Sequence, residues 1–103
     1  RFDDAWNCCN EALEIDHTDC RAWNQMGLVY EKLGKFDDAI HCFDKVIEIT
    51  SLEPDLVTFP ASYEVEICAM AWYNKYRIFE EMGKVEESEK CYVMAEKLGH
   101  FLK

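Results

Sequence analysis

The residues most capable of chemistry are six cysteines, at positions 8, 9, 20, 42, 68 and 91, and three histidines, at 17, 41 and 100. Thiolates and imidazoles bind zinc, and paired thiols form disulfides or relay redox equivalents. Cys8, Cys42 and Cys91 fall at one place in three stretches of helical pattern, which invites a metal or redox ladder. Packed helices lie roughly 8 to 10 Å apart, too far for either a disulfide or shared zinc ligation between equivalent positions. No Cys-x-x-Cys pair occurs, the adjacent Cys8 and Cys9 point to different faces, and the histidines have no ligand partner at helical spacing. Glu86, Glu87 and Glu89 with Lys84 and Lys90 form a charged helix face with local ion pairs, not an acid-base dyad. A glycine-rich elbow or phosphate loop that would activate a nucleophile is absent. The chemistry-bearing residues therefore read as packing and solvent-facing groups. The expectation is no enzyme, no metal, no cofactor and six reduced thiols in a cytoplasmic protein.

The elements that hold these residues follow from composition and pattern. The chain has 103 residues, half of them apolar and 14% aromatic, enough for one continuous core and incompatible with disorder. Its longest wholly apolar run, Ile67 to Tyr73, falls far short of the roughly 20 residues that cross a bilayer. A formal charge of −10 repels phosphate backbones and anionic lipid, so nucleic acid and membrane are not the expected partners. A basic or neutral protein is. The opening Arg1-Phe2-Asp3-Asp4 is neither an initiator methionine nor a signal sequence, and reads as a cut from a longer chain.

An internal repeat organises the whole. Arg1-Phe2-Asp3-Asp4-Ala5 recurs as Lys35-Phe36-Asp37-Asp38-Ala39, 34 residues later, and the match runs on to Ile15 and Ile49. A third copy appears when Leu33-Gly34-Lys35 is laid on Met82-Gly83-Lys84, a spacing of 49 that sets Trp23 on Trp72, Tyr30 on Phe79 and Phe43 on Tyr92. The extra 15 residues fall between Pro54 and Cys68. Each unit is a pair of helices: Trp23, Met26, Gly27, Tyr30 and Leu33 mark one face of the first, ended by Gly34. Asp37 and Asp38 open the second, and Ala39, Ile40, Phe43, Val46 and Ile47 continue its stripe. Residues 3 to 15 are a second helix alone. The last unit runs from about Ser62, a candidate cap, to Met82 and from Val85 to Leu98 with Gly99 as its stop, for about six helices in all if the stub counts. Residues 51 to 62 are turn-rich.

With Trp23, Gly27, Tyr30, Ala39 and Phe43 at this period, the chain resembles the tetratricopeptide repeat family. The resemblance implies an all-α, right-handed superhelix of antiparallel helix pairs, an α-solenoid, in one domain over residues 1–103. Residues 1–18 are the second helix of a truncated repeat, 20–53 a full repeat, 54–68 an insert with a helix extension, and 69–102 a divergent repeat. In the divergent repeat Tyr76 takes the place of the small packing residue and Ser88 that of the alanine, so a splayed or rearranged helix pair is expected there. The family's chaperone-tail clamp does not transfer, because its lysine positions fall on Asn24 or Met70.

Function in such a fold lies on the concave surface of the first helices. With Trp23 facing inward, a turn of 100° per residue puts Arg21, Asn24, Gln25, Leu28, Glu31 and Lys32 on the groove side, and Met70, Tyr73, Asn74, Arg77, Glu80 and Glu81 in the last unit. The expected peptide-binding residues are Arg21, Asn24, Gln25, Leu28, Lys32, Met70, Tyr73, Asn74 and Arg77. Arg21 and Arg77 suit a carboxylate. Two functions compete: a non-enzymatic protein-protein interaction module that holds a peptide or partner helix in this groove, as part of a scaffold or co-chaperone-like protein, and a self-assembly segment that stacks repeat on repeat. A homodimer through uncapped repeat ends is expected, because the truncated first unit leaves Ala5, Trp6, Cys9 and Ala12 uncovered.

Overall fold

The computed structural model describes residues 2–50 and 62–99, and within them the side chains of all but residues 2, 3 and 62–64. Five helices follow one another: α1 Phe2–Ile15, α2 Cys20–Lys32, α3 Phe36–Thr50, α4 Ser62–Met82 and α5 Val85–Gly99. Among the described residues there is no strand, and no helix is long and apolar enough to cross a membrane. Five helices are found among the described residues, against an expectation of about six for the chain, and the run from Ser62 to Met82 is the single long helix that its pattern indicated. The turn-rich stretch and the capping side chain of Ser62 lie outside the described residues.

Local chemistry explains each boundary. Between α1 and α2, the backbone N–H and the hydroxyl of Thr18 both donate to Asp16 Oδ1, at 3.0 and 2.6 Å, and hold the Asp16 carboxyl below its usual range. Asp19 then caps α2, its Oδ1 accepting from the Ala22 N–H at 3.2 Å. Gly34 and Gly83 end α2 and α4 at φ +78, the left-handed conformation that costs glycine little. The two stops are superposable in their bonding: Lys35 N–H donates to Tyr30 O and Gly34 N–H to Glu31 O, just as Lys84 donates to Phe79 and Gly83 to Glu80. Gly99 differs from the expectation; it is the last helical residue and has no positive φ.

α2 packs antiparallel on α3 and α4 on α5, and α1 lies against α2 as α3 lies against α4. The core is built on α3, where Ala39, Phe43 and Val46 are fully buried against Ile67, Ala71 and Ile78 of α4. Phe43 lies over Gly27, where a Cβ would stand 2.7 Å from two ring carbons. A smaller cluster joins Cys9 of α1 to Met26 and Cys42, and Trp6 Nε1 donates to the Tyr30 hydroxyl at 3.1 Å. The expectation of an uncovered N-terminal strip is thereby corrected. Trp6 and Cys9 face forward onto α2, whereas the side left to solvent carries Asp4, Asn7, Cys8, Glu11, Glu14 and, at the end of the helix, Ile15. Sequence arithmetic identified the apolar stripe of α1 but assigned it to a preceding helix instead of the following one.

In the last helix pair, α4 and α5 stay packed despite Tyr76. Ser88 is buried and donates to the Val85 carbonyl at 2.8 Å. The rearrangement falls on Tyr92 instead: its ring meets that of Tyr76 at 5.2 Å between centroids and is 44% exposed, where its counterpart Phe43 is fully buried. Tyr76 stands at the position that Gly27, under the Phe43 ring, holds one unit earlier.

Candidate functional site

α4 lies beside α2 along a short seam, and the residues expected to face a groove fall along it. At one end Arg21, Asn24 and Gln25 of α2 meet Glu66, Ile67 and Met70 of α4 around a cleft of about 500 Å³. Arg21, Gln25, Glu66 and Met70 are exposed there, so the cleft offers a cation, an amide, a carboxylate and a thioether to solvent. In the middle, Asn24 and Asn74 are buried and face each other, with Asn74 Nδ2 donating to Asn24 Oδ1 at 3.4 Å. At the far end Arg77 donates through Nη1 and Nη2 to the two oxygens of Glu31 at 2.9 and 3.1 Å, and through Nη2 to Asn74 Oδ1 at 2.8 Å. Such a bidentate pair, with a neighbouring amide, offsets the desolvation of the nearly buried Glu31.

The nine expected residues thus divide. Arg21, Asn24, Gln25 and Met70 come together in the cleft, and Asn74 and Arg77 tie α4 to α2. Tyr73 is half exposed, with the Arg77 guanidinium 5.9 Å from its ring. Leu28 is half-buried against the main core, and Lys32 is exposed at the end of α2. Glu66 was missed. It stands one helical turn before Met70, and the face that selects Met70, Tyr73 and Arg77 reaches it when extended back by four residues.

A larger cleft of about 770 Å³ lies on α4 and α5, against Trp72, Lys75, Phe79, Cys91 and Met94, and shares no residue with the first. Of its two lysines, Lys75 and Lys90, the first is paired with Asp44 of α3 and sits 4.8 Å above the Trp72 ring. The buried indole Nε1 of Trp72 has no hydrogen-bond partner. Among the described residues no three His, Cys, Asp or Glu side chains converge as a metal ion requires.

Burial governs the thiols. It pushes Cys9, Cys68 and Cys91 up from the usual range and Cys42 up to about 12, with Asp38 and Cys9 adding to the effect at Cys42. Protonated, these groups are poor nucleophiles. A pH dependence follows with a definite sign. An unfolded Cys42 thiol ionises near its ordinary 9.0, whereas the folded one holds its proton to about 12. The stability it contributes is present below pH 9 and is lost as pH rises between those values. Urea unfolding at a pH of about 7, 9 and 10.5 is expected to show stability falling across the upper interval, and Cys42→Val to flatten that fall. An equal slope in Cys42→Val excludes Cys42 as its source.

Comparison with known proteins places residues 20–49 in a match to the tetratricopeptide repeat. TPR repeat-containing protein MJ0263 of Methanocaldococcus jannaschii is 31% identical over 91 residues, which are 88% of this chain and 25% of that protein. TPR repeat-containing protein MJ0941 of the same organism is 46% identical over 46 residues, 45% of this chain and 14% of that one. The chain therefore spans at most about a quarter of the length of these relatives.

Proposed function

The chain belongs to the tetratricopeptide repeat family, whose repeats are in general protein-interaction modules, and from that premise we propose that it binds a peptide segment of another protein between α2 and α4. The observation that carries this reading is the cleft at Arg21, Gln25, Glu66 and Met70, where separate helices bring a cation, an amide, a carboxylate and an exposed apolar side chain within one peptide's reach. An extended segment satisfies its backbone on the amide of Gln25 and places an apolar side chain on Met70, which is 45% exposed. Arg21 favours a carboxylate on that segment. Asn24, Asn74, Glu31 and Arg77 serve differently: bonded to one another, they fix the distance between the helices so that the cleft is formed before a ligand arrives. No step of bond chemistry is involved.

Peptides selected from a random display library on the folded protein test this. Selected sequences are expected to carry an apolar residue beside an acidic one, and to lose about tenfold or more in affinity for Met70→Glu or Gln25→Ala. Peptides that bind both variants as well as the parent place the interaction elsewhere and end the groove reading.

A further inference from the structure

Glu31 and Glu80 stand at the same place in successive helix pairs, 49 residues apart and each followed by the same glycine stop. Their surroundings differ in one respect. Glu31 receives both guanidinium nitrogens of Arg77 from the helix packed against it, α4. Glu80 lies in an open cleft of about 420 Å³ between α4 and α5, lined by Tyr76, Val85, Ser88, Glu89 and Tyr92 among others, with two carboxylates and no cation. Its carboxylate lies 3.2 Å from the Ser88 hydroxyl, whose single proton it shares with the nearer Val85 carbonyl, and, among the described residues, is paired with no lysine or arginine. The rings of Tyr76 and Tyr92 form one wall, 5.2 Å apart and inclined at 51°.

We propose that this cleft receives an arginine presented by an α-helix of a basic partner protein, its guanidinium paired with Glu80 and stacked on the exposed ring of Tyr92. The protein contains its own precedent: Arg77 reaches the equivalent glutamate from a packed helix and lies 5.9 Å from the Tyr73 ring. A planar guanidinium suits both a carboxylate fork and an aromatic face, and lysine suits neither as well. The apolar flanks that a helix needs are present, because Val85, Tyr92 and Val93 are 60%, 44% and 49% exposed beside the cleft. Negative potential at the mouth is felt already by Tyr76, whose phenol is pushed up chiefly by Glu80. Charge argues against a second copy as the occupant. The chain carries −10, and of its three arginines Arg77 is already committed to Glu31. This surface is distinct from the cleft between α2 and α4, and the proposal stands apart from peptide binding there.

The test uses a stapled alanine-based helix bearing one arginine flanked by leucines at i−3 and i+4, and a twin in which citrulline replaces the arginine. Titration by fluorescence polarisation is expected to show binding of the arginine helix, weakened about tenfold or more by citrulline in the peptide or by Glu80→Gln in the protein. Glu81→Gln and Gln25→Ala are expected to leave it unchanged, the second separating this face from the groove. Thermal melts confirm that each variant is folded; should Glu80→Gln not fold, Tyr92→Ala, at an exposed position, carries the decision with the same expected loss. Equal affinity for the two peptides, or for parent and Glu80→Gln, overturns the proposal. So does the absence of binding up to roughly 1 mM peptide. A concentration-dependent dimer that Tyr92→Glu disperses overturns the choice of partner in favour of a second copy.

Discussion

Gly27→Leu is expected to lower the unfolding free energy by about 3 kcal/mol or more, and Gly27→Ala by about 1 kcal/mol or more. The alanine variant is the sharper test because two effects of opposite sign meet in it. In a helix interior, alanine is better than glycine by about 1 kcal/mol, so propensity alone makes the substitution stabilising. Packing opposes it, since the added Cβ stands 2.7 Å from two carbons of the Phe43 ring. Phe43 is fully buried against Ala39, Val46, Ile67, Ala71 and Ile78, so the ring has no vacant space to enter. Overpacking of a closed core typically costs about 1 to 3 kcal/mol, and a leucine adds three more carbons to the collision. In a domain of this size 1 kcal/mol moves the melting temperature by about 4 to 8 °C, so thermal melts resolve both variants. Phe43→Leu in the Gly27→Ala background is expected to recover part of the loss, giving a non-additive cycle. An alanine variant more stable than the parent means that α2 and α3 do not touch at this point.

Phe43→Ala and Tyr92→Ala remove aromatic rings from the same repeat position with very different expected costs. Phe43 is completely inaccessible to solvent, and truncation of such a ring typically costs about 3 to 5 kcal/mol in lost transfer energy and cavity. That is a large part of the roughly 5 to 15 kcal/mol that holds a domain of this size together. Tyr92 is 44% exposed and meets Tyr76 ring to ring at a tilt of 51°, so its truncation costs about 1 kcal/mol or less. Urea unfolding of the two variants, with unchanged m values, checks the contrast. Equal costs show that Tyr92 inserts between its helices as Phe43 does, and that the exposed aromatic wall of the Glu80 cleft does not exist in solution.

The repeat itself was legible in the sequence, because helix pairing needs small residues at Gly27 and Ala39, aromatics at Trp23, Tyr30 and Phe43, and glycine at the left-handed stops Gly34 and Gly83. These requirements are local in space and recur at a fixed spacing, so they leave a periodic trace. Helices α2, α3, α4 and α5 accordingly lie within a residue or so of where the pattern put them. What the period does not encode is direction and occupancy. A stripe such as Trp6 and Cys9 announces that it will be covered, but its partner proved to be α2, a choice made only when two helices compete for one surface. The groove face was likewise marked by helical spacing, yet turning by 100° per residue cannot distinguish a side chain that faces solvent from one that faces the next helix. Asn24, Asn74 and Arg77 share the strip with Gln25 and Met70, and only the approach of α4 to α2 converts the first three into a buried, bonded seam. The substitution of Tyr76 for glycine was visible as a departure from the motif. That Tyr92 is left 44% exposed against the Tyr76 ring, with Glu80 beside it in an open aromatic cleft, is decided by the packing of α4 on α5.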